Sequence, residues 1–245
     1  MSGHSKWATI KRQKGAQDIK RGLTFTKLSN AIYLAVKKSR GDTNVNSNFR
    51  LRLAVDTARS HNMPKETIER AIQRAAGKGE GAVEEVIYEG FAPGGVSVII
   101  EAATDNPQRT ASEIKNLFSK EGANFGQPGS VSYQFKHVGE ITIKKNSKSL
   151  EEIFEYAVEA GAEDIQDLGE EVRVYVGLQD AGKVKDKLSD KGFHVVDLGL
   201  IRRPIVFMPI SDKGKLDKTI NFLRKLEELD DVQKVYSNLD VHQQK

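Results

Sequence analysis

Ten lysines and arginines fall within the first forty residues, against a single acid, Asp18. His4, Lys6, Trp7, Lys11, Arg12, Lys14, Lys20, Arg21 and Lys27 all lie in the run GHSKWATIKRQKGAQDIKRGLTFTKL from Gly3 to Leu28. The whole chain has a formal net charge of only +4, so the remaining 205 residues, with 28 basic and 33 acidic side chains, sum to −5. Cations at this density do one kind of chemistry well: they neutralise phosphates and release condensed counterions, a gain that weakens steeply with salt. Lys6, Lys11, Arg12, Lys14, Lys20, Arg21 and Lys27 are the candidate phosphate contacts, and His4 is a further donor to phosphate. Trp7 has two readings: stacking on an unpaired base or wedging into a groove, and packing against the first helix. A merely solubilising tail has no need of the interleaved Trp7, Ile10, Phe25 and Leu28.

Catalytic constellations are missing elsewhere. The five histidines, His4, His61, His137, His194 and His242, are scattered, and no HExxH, GxSxG, P-loop or EF-hand pattern occurs. The absence of cysteine excludes disulfides, thiolate zinc sites and a cysteine nucleophile. Glu84-Glu85 and Glu170-Glu171 are adjacent in strand contexts, so their carboxylates diverge instead of converging for acid–base work. The loop Thr104-Asp105-Asn106-Pro107-Gln108-Arg109-Thr110 is the most site-like polar stretch outside the N-terminus, but a turn with helix capping accounts for most of it. Asn124 to Ser130 combines Phe125 with permissive glycines; it reads as a hairpin-like turn, with presentation of Phe125 to a base or partner as the alternative. Neither catalysis, nor a cofactor, nor a metal, nor a small-molecule substrate is therefore expected.

At 38% hydrophobic and 29% charged residues, the 245-residue chain is ordinary globular protein, long enough for one large domain or two to three small ones. No stretch approaches the roughly 20 apolar residues that span a bilayer, so no membrane partner is expected, and a reducing cytoplasm is the simplest location.

The elements that must position these residues are legible in the hydrophobic periodicity. Phe25, Leu28, Ile32, Ala35 and Val36 form one helical stripe ending near Gly41, Leu51, Ala54, Val55 and Ala58 a second from about Asn48, and Ile68, Ala71, Ile72 and Ala75 a third. Pro64 suits the first helical position of the third and Gly77 its C-cap. Seventeen basic and six acidic residues give this segment +11 through Glu80. After a linker at residues 77–81 the period changes. Strands are predicted over 83–89, 96–104 and 130–136, the last with Val131, Tyr133 and Phe135 on one face, and a helix over 109–120. From Gly139 to Pro204 the order is βαββαβ, a ferredoxin-like unit. A strand over 205–210, a helix over 216–229 and a strand over 232–236 complete the chain. The predicted fold class is α+β multidomain: a basic segment and three-helix domain (1–79), a discontinuous mixed α+β domain (80–137 with 204–245), and a ferredoxin-like domain inserted in it (138–203). Three sequential domains is the competing arrangement.

The motifs GHSKWATIK (3–11), KGAQD (14–18), FTKL (25–28), NMPKETIERAI (62–72), YEGFAPGGVSVIIEAATDN (88–106) and GSVSYQF (129–135), in this order, resemble the YebC/PmpR family over most of the chain. That resemblance implies a helical N-terminal domain followed by two α+β domains, one ferredoxin-like and inserted in the other. It also implies a DNA-binding transcriptional regulator, while related members act as mitochondrial translational activators or are linked to the ribosome and to relief of proline-rich stalling. The motif begins at Gly3, which favours the bacterial cytoplasmic form over one with a presequence. The chain departs from the family in two places. Pro107-Gln108 replaces the basic residue often found after TDN, leaving only Arg109 to carry over that loop's charge, and IKRQK replaces the commoner IKHRK while preserving positive charge. The expected partner is nucleic acid, either DNA or ribosomal RNA and the ribosome. A protein-interaction scaffold using the net-acidic ferredoxin-like portion is the reading from another class.

Overall fold

The computed structural model describes residues 21–77, 83–146 and 148–240. Three helices come first: α1 (Arg21–Lys38), α2 (Phe49–Ser60) and α3 (Lys65–Ala76). Leu28, Ile32, Ala35 and Val36 of α1 are buried with Leu51, Val55 and Ala58 of α2 and Ile68, Ala71 and Ala75 of α3, which is the core their spacing predicts. Phe25, Ala54 and Ile72 sit half-buried at its margin. Asn48 joins the first two helices. Its side-chain oxygen accepts from the Leu51 N–H and caps α2, while its Nδ2 donates to the carbonyls of Ala35 and Asp42. Pro64 is the N-cap of α3, one position earlier than expected, and Gly77 ends α3 in extended rather than left-handed backbone.

Beyond them run β1 (Glu84–Phe91), β2 (Ser97–Thr104), α4 (Pro107–Glu121) and β3 (Asn124–Phe125). Next come β4 (Phe135–Lys144), α5 (Leu150–Ala160), β5 (Asp164–Asp167), β6 (Glu171–Gly177), α6 (Ala181–Asp190) and β7 (His194–Pro204). The last elements are β8 (Met208–Pro209), α7 (Lys213–Glu228), β9 (Val232–Ser237) and β10 (Leu239–Asp240). The fold is α+β, with seven α-helices and antiparallel four-stranded sheets among the described residues.

Two compact units divide these elements. One holds residues 21–133 and 210–237, the other 134–209 and 238–240. In the first, the helices accompany a four-stranded sheet of order β3-β1-β2-β9, antiparallel throughout. β9, which follows the ferredoxin-like stretch in sequence, completes this sheet by pairing with β2. Phe118 of α4 meets Phe222 of α7 edge-on, ring centroids 4.9 Å apart, and both are buried. Gly90 lets that layer close: a Cβ there would lie 2.5 Å from the Phe118 ring and 2.6 Å from the Asn124 carbonyl oxygen.

The second unit contains the sheet β5-β6-β4-β7, also antiparallel throughout. Counted from β4, that is second, third, first, fourth, the order of a ferredoxin-like βαββαβ unit. Ile141, Ile143, Val172, Val174 and Val176 are buried with Ile153 and Ala157 of α5 and Val184 and Leu188 of α6. At Gly139 a Cβ would come within 2.6 Å of the Ala181 Cβ, so glycine sets how closely α6 approaches β4. Ser149 caps α5, accepting from the Glu152 N–H, and Gly161 closes it in the left-handed region at φ 113°.

Two predicted strands are corrected. Residues 130–136 do not form one strand: Ser132–Gln134 is a 3-10 turn, and β4 begins at Phe135 and runs unbroken to Lys144. The Val131 N–H donates to the Glu89 carboxylate rather than to a strand neighbour, and the turn swings Tyr133 out to 71% exposure while Val131 and Phe135 stay buried. The run 205–210 likewise yields only β8, paired in parallel with β10, because β7 extends to Pro204 and prolines at 204 and 209 supply no ladder donors. Ile205 and Val206 are left exposed between them.

Candidate nucleic-acid interface

Of the predicted contact residues, His4, Lys6, Trp7, Lys11, Arg12, Lys14 and Lys20 lie outside the described residues, and Arg21 is the first residue of α1. Lys27 is part-buried and donates from Nζ to the carbonyl of Glu227 at 2.7 Å. That carbonyl belongs to the last turn of α7, where carbonyls lack intrahelical partners and the helix dipole favours a cation. The ammonium of Lys27 is thus engaged within the fold, holding α1 to α7.

The helical bundle adds charge that was legible as a total but not residue by residue. Residues 21–77 carry eleven basic and four acidic side chains, and Lys37, Arg40, Arg50, Arg52, Arg70 and Arg74 are exposed. Tyr33, buried in the bundle core, has Lys37 Nζ 5.5 Å and the Arg74 guanidinium carbon 5.1 Å from its ring centroid. This arrangement fixes two cations over one aromatic. Arg52 donates to the carbonyls of Val45 and Asn46, bracing the loop before α2. The acids that partner Arg59 and Lys65 are 3.6 Å away and exposed, so these pairs neutralise little.

Arg109 has a different setting. It stands in the first turn of α4, where Asn106 caps the helix by accepting from the Arg109 N–H. Its Nη2 donates to Asp105 at 3.0 Å and to Asp231 at 2.9 Å. The same Asp231 oxygen accepts from Thr104 at 3.1 Å and Thr110 at 2.5 Å, and the two hydroxyl oxygens lie 2.9 Å apart. The Asp231 carbonyl also accepts from the Ala103 N–H. One carboxylate thereby locks the end of β2, the start of α4 and the turn between α7 and β9. Burial alone would raise the Asp231 pKa, but the donors Thr110, Arg109 and Thr104 outweigh it and hold the group below the usual carboxylate value. Asp231 was not singled out in the sequence, because its partners lie more than a hundred positions away.

Glu89 is the second residue that sequence reasoning missed. It is buried in β1, and its carboxylate accepts from the N–H groups of Gly129 at 2.8 Å, Val131 at 2.7 Å and Ser132 at 2.9 Å. Burial would raise its pKa; the three backbone donors outweigh this and lower it. A depressed carboxylate stabilises the fold above its unfolded pKa of about 4.3, and the contribution is lost as pH falls through the folded value. Glu89→Gln, which turns one acceptor into a donor facing N–H groups, is expected to cost about 2–3 kcal/mol. Denaturant unfolding checks the loss, and hydrogen exchange should show faster exchange at Val131 and Ser132. Unchanged protection there would contradict the anchor.

Phe125, above this loop, is not offered outward. Its ring packs edge-on against Phe118 at 5.6 Å and lies 6.1 Å from Tyr88, with Lys115 Nζ 5.2 Å from its centroid. His61 is the C-cap of α2, with Nδ1 2.9 Å from the Thr57 carbonyl, and His194 is exposed at the start of β7. Among the described residues, no three histidine, aspartate or glutamate side chains converge as metal ligands, and no helix is long and apolar enough to cross a membrane.

Residues 5–78 match the family profile described as TACO1/YebC protein N-terminal domain, and residues 83–239 match that described as TACO1/YebC second and third domain. A probable transcriptional regulatory protein of Thermotoga maritima is 45% identical over 247 residues, covering 98% of this chain and 94% of its own. Another of the same name from Chloroflexus aurantiacus is 45% identical over 244 residues, covering 98% and 96%. The crystal structure of a conserved hypothetical protein from Aquifex aeolicus superposes with a TM-score of 0.86 at 43% identity, covering 98% of this chain and all of that one.

Proposed function

This chain belongs to the TACO1/YebC family, and from that membership we propose that it is a non-enzymatic, nucleic-acid-binding regulator of gene expression, acting on transcription in the cytoplasm. The observation that carries the reading is the segregation of charge: +11 through Glu80 in a chain whose total is +4, with the bundle's cations on its surface. The names of the relatives supply the direction, toward transcriptional regulation. The phosphate contacts assigned to Lys6, Lys11, Arg12, Lys14, Lys20 and Arg21, with His4 and Trp7 beside them, belong to this proposal. Lys27 and Arg109 belong to it too, as contacts made beside the hydrogen bonds they give to Glu227 and to Asp105 and Asp231. The division into residues 1–79, 80–137 with 204–245, and 138–203 belongs to it as well, supported by the pairing of β9 with β2.

A second reading is favoured by one specific feature. The exposed cations are spread over three helices and the loops between them instead of being gathered along one of them. Such a surface suits backbone contacts to structured RNA, and hence a ribosome-binding translation factor that assists difficult, proline-rich elongation. Binding to promoter duplex, nonspecific duplex and ribosomes across a salt series separates the two. The transcriptional reading expects a promoter preference of about 10³-fold or more over nonspecific duplex. A steep salt slope without sequence preference, together with ribosome co-sedimentation, would reject operator binding in favour of translation.

A further inference from the structure

Helix α5 uses one side for the core of the ferredoxin-like unit and leaves the other uncovered. Ile153 and Ala157 are buried, whereas Phe154 and Val158, one turn apart and about 100° further round the helix, are 54% and 51% exposed. Alongside them, at i, i+4 and i+8, stand Glu151, Glu155 and Glu159, all exposed. These spacings put the two apolar side chains and the three carboxylates in neighbouring rows of one face. The lysines nearby are engaged elsewhere: Lys148 pairs with Glu152 at 2.6 Å, Lys187 donates to the Ala160 carbonyl, and Lys191 lies over the Tyr156 ring at 5.4 Å. Among the described residues, no cation pairs with Glu151, Glu155 or Glu159.

A singly exposed apolar residue is unremarkable. Two large ones bordered by a row of unpaired carboxylates form a surface of defined chemistry. We infer that this face of α5 docks a cationic amphipathic segment of a partner protein, whose apolar side chains cover Phe154 and Val158 while its lysines or arginines meet the three glutamates. The sign of the charge excludes a phosphate backbone, since residues 138–203 carry ten basic and fourteen acidic side chains. A second copy of the chain is disfavoured, because a two-fold contact of α5 with itself would set glutamate against glutamate. Two side chains make a small anchor, so the contact is transient. It stands whether or not the basic part of the chain binds nucleic acid.

The test uses the full-length, isotope-labelled chain and a short synthetic amphipathic helix with a leucine stripe flanked by lysines, beside a counterpart with glutamates for lysines. The lysine peptide is expected to bind and to move the amide signals of α5, and the glutamate peptide is not. F154S/V158S and E151K/E155K/E159K should each weaken the lysine peptide by about tenfold or more, and the charge-reversed chain should gain binding to the glutamate peptide. Nucleic-acid affinity in F154S/V158S should match the unaltered chain, which keeps this result apart from that of the basic segment. Signals moving elsewhere, or equal affinity in the variants, would overturn the assignment. Concentration-dependent self-association abolished by F154S/V158S would overturn it in favour of a second copy.

Discussion

Asp231→Ala is expected to destabilise the chain by about 2–4 kcal/mol, because it removes one acceptor from three donors at once. Thr104 and Thr110 are each 1% exposed, so neither hydroxyl can turn to water in compensation. Thr110 can turn its one hydroxyl hydrogen to Thr104, 2.9 Å away, or to the Asn106 carbonyl at 3.3 Å, but Thr104 loses its acceptor. Arg109 keeps Asp105. Asp231→Asn preserves an acceptor oxygen and the size of the side chain while removing the charge, and should recover about half of the loss. Both are measured as a shift in denaturant midpoint with unchanged slope. The destabilised unit is identified by faster hydrogen exchange in β2, α4 and β9, with the β4–β7 sheet unaffected.

The same carboxylate sets a pH dependence. Its folded pKa is depressed, so the stability it contributes is fully present above the unfolded value of about 3.9 and is lost as pH falls through the folded value. Asp231→Asn should flatten the acid limb of the stability curve below about pH 4. An unaltered limb would show that the Asp231 cluster does not hold its ionised form in the fold.

Why this cluster escaped the sequence while the helices did not is a matter of range. Leu28, Ile32, Ala35 and Val36 announce their helix through neighbours three and four positions away, and all four are buried. Ser149 and Gly161 announce the ends of α5 in the same local way. Asp231 and Glu89 take their meaning from residues brought close only by the sheet: Thr110 is 121 positions from Asp231, and Val131 is 42 from Glu89. Glu89 also explains the missed turn. Alternation through Val131, Tyr133 and Phe135 reads as a strand until a buried carboxylate claims the backbone N–H groups that a strand would need. The TDN loop reads locally as a cap, and Asn106 is one, but the reason for an arginine and two threonines beside it becomes visible only when Asp231 arrives. Charge behaves differently. Its total through Glu80 was plain, whereas the engagement of Lys27 with the end of α7 depends on a residue two hundred positions later.

Neutralising the N-terminal cations tests the proposed interface most severely. K6Q/K11Q/R12Q/K14Q/K20Q in the full chain removes five candidate phosphate partners and leaves the identities of Lys27, the bundle-core residues and Asp231 unaltered. For a duplex target, the slope of log affinity against log salt should fall by about 0.9 for each phosphate left without its cation, so by about 4–5 if all five side chains reach the backbone. Affinity at low salt should drop by orders of magnitude while the denaturant midpoint stays in place. A slope unchanged from the parent would move the interface onto the bundle cations around Tyr33. Trp7→Ala then separates stacking from packing. Stacking on unpaired bases predicts a loss of about 1–3 kcal/mol on single-stranded RNA, nearly independent of salt and without a change in stability. Packing against the first helix predicts the reverse, a lower denaturant midpoint with nucleic-acid affinity intact, so the two measurements on one variant decide which role Trp7 has.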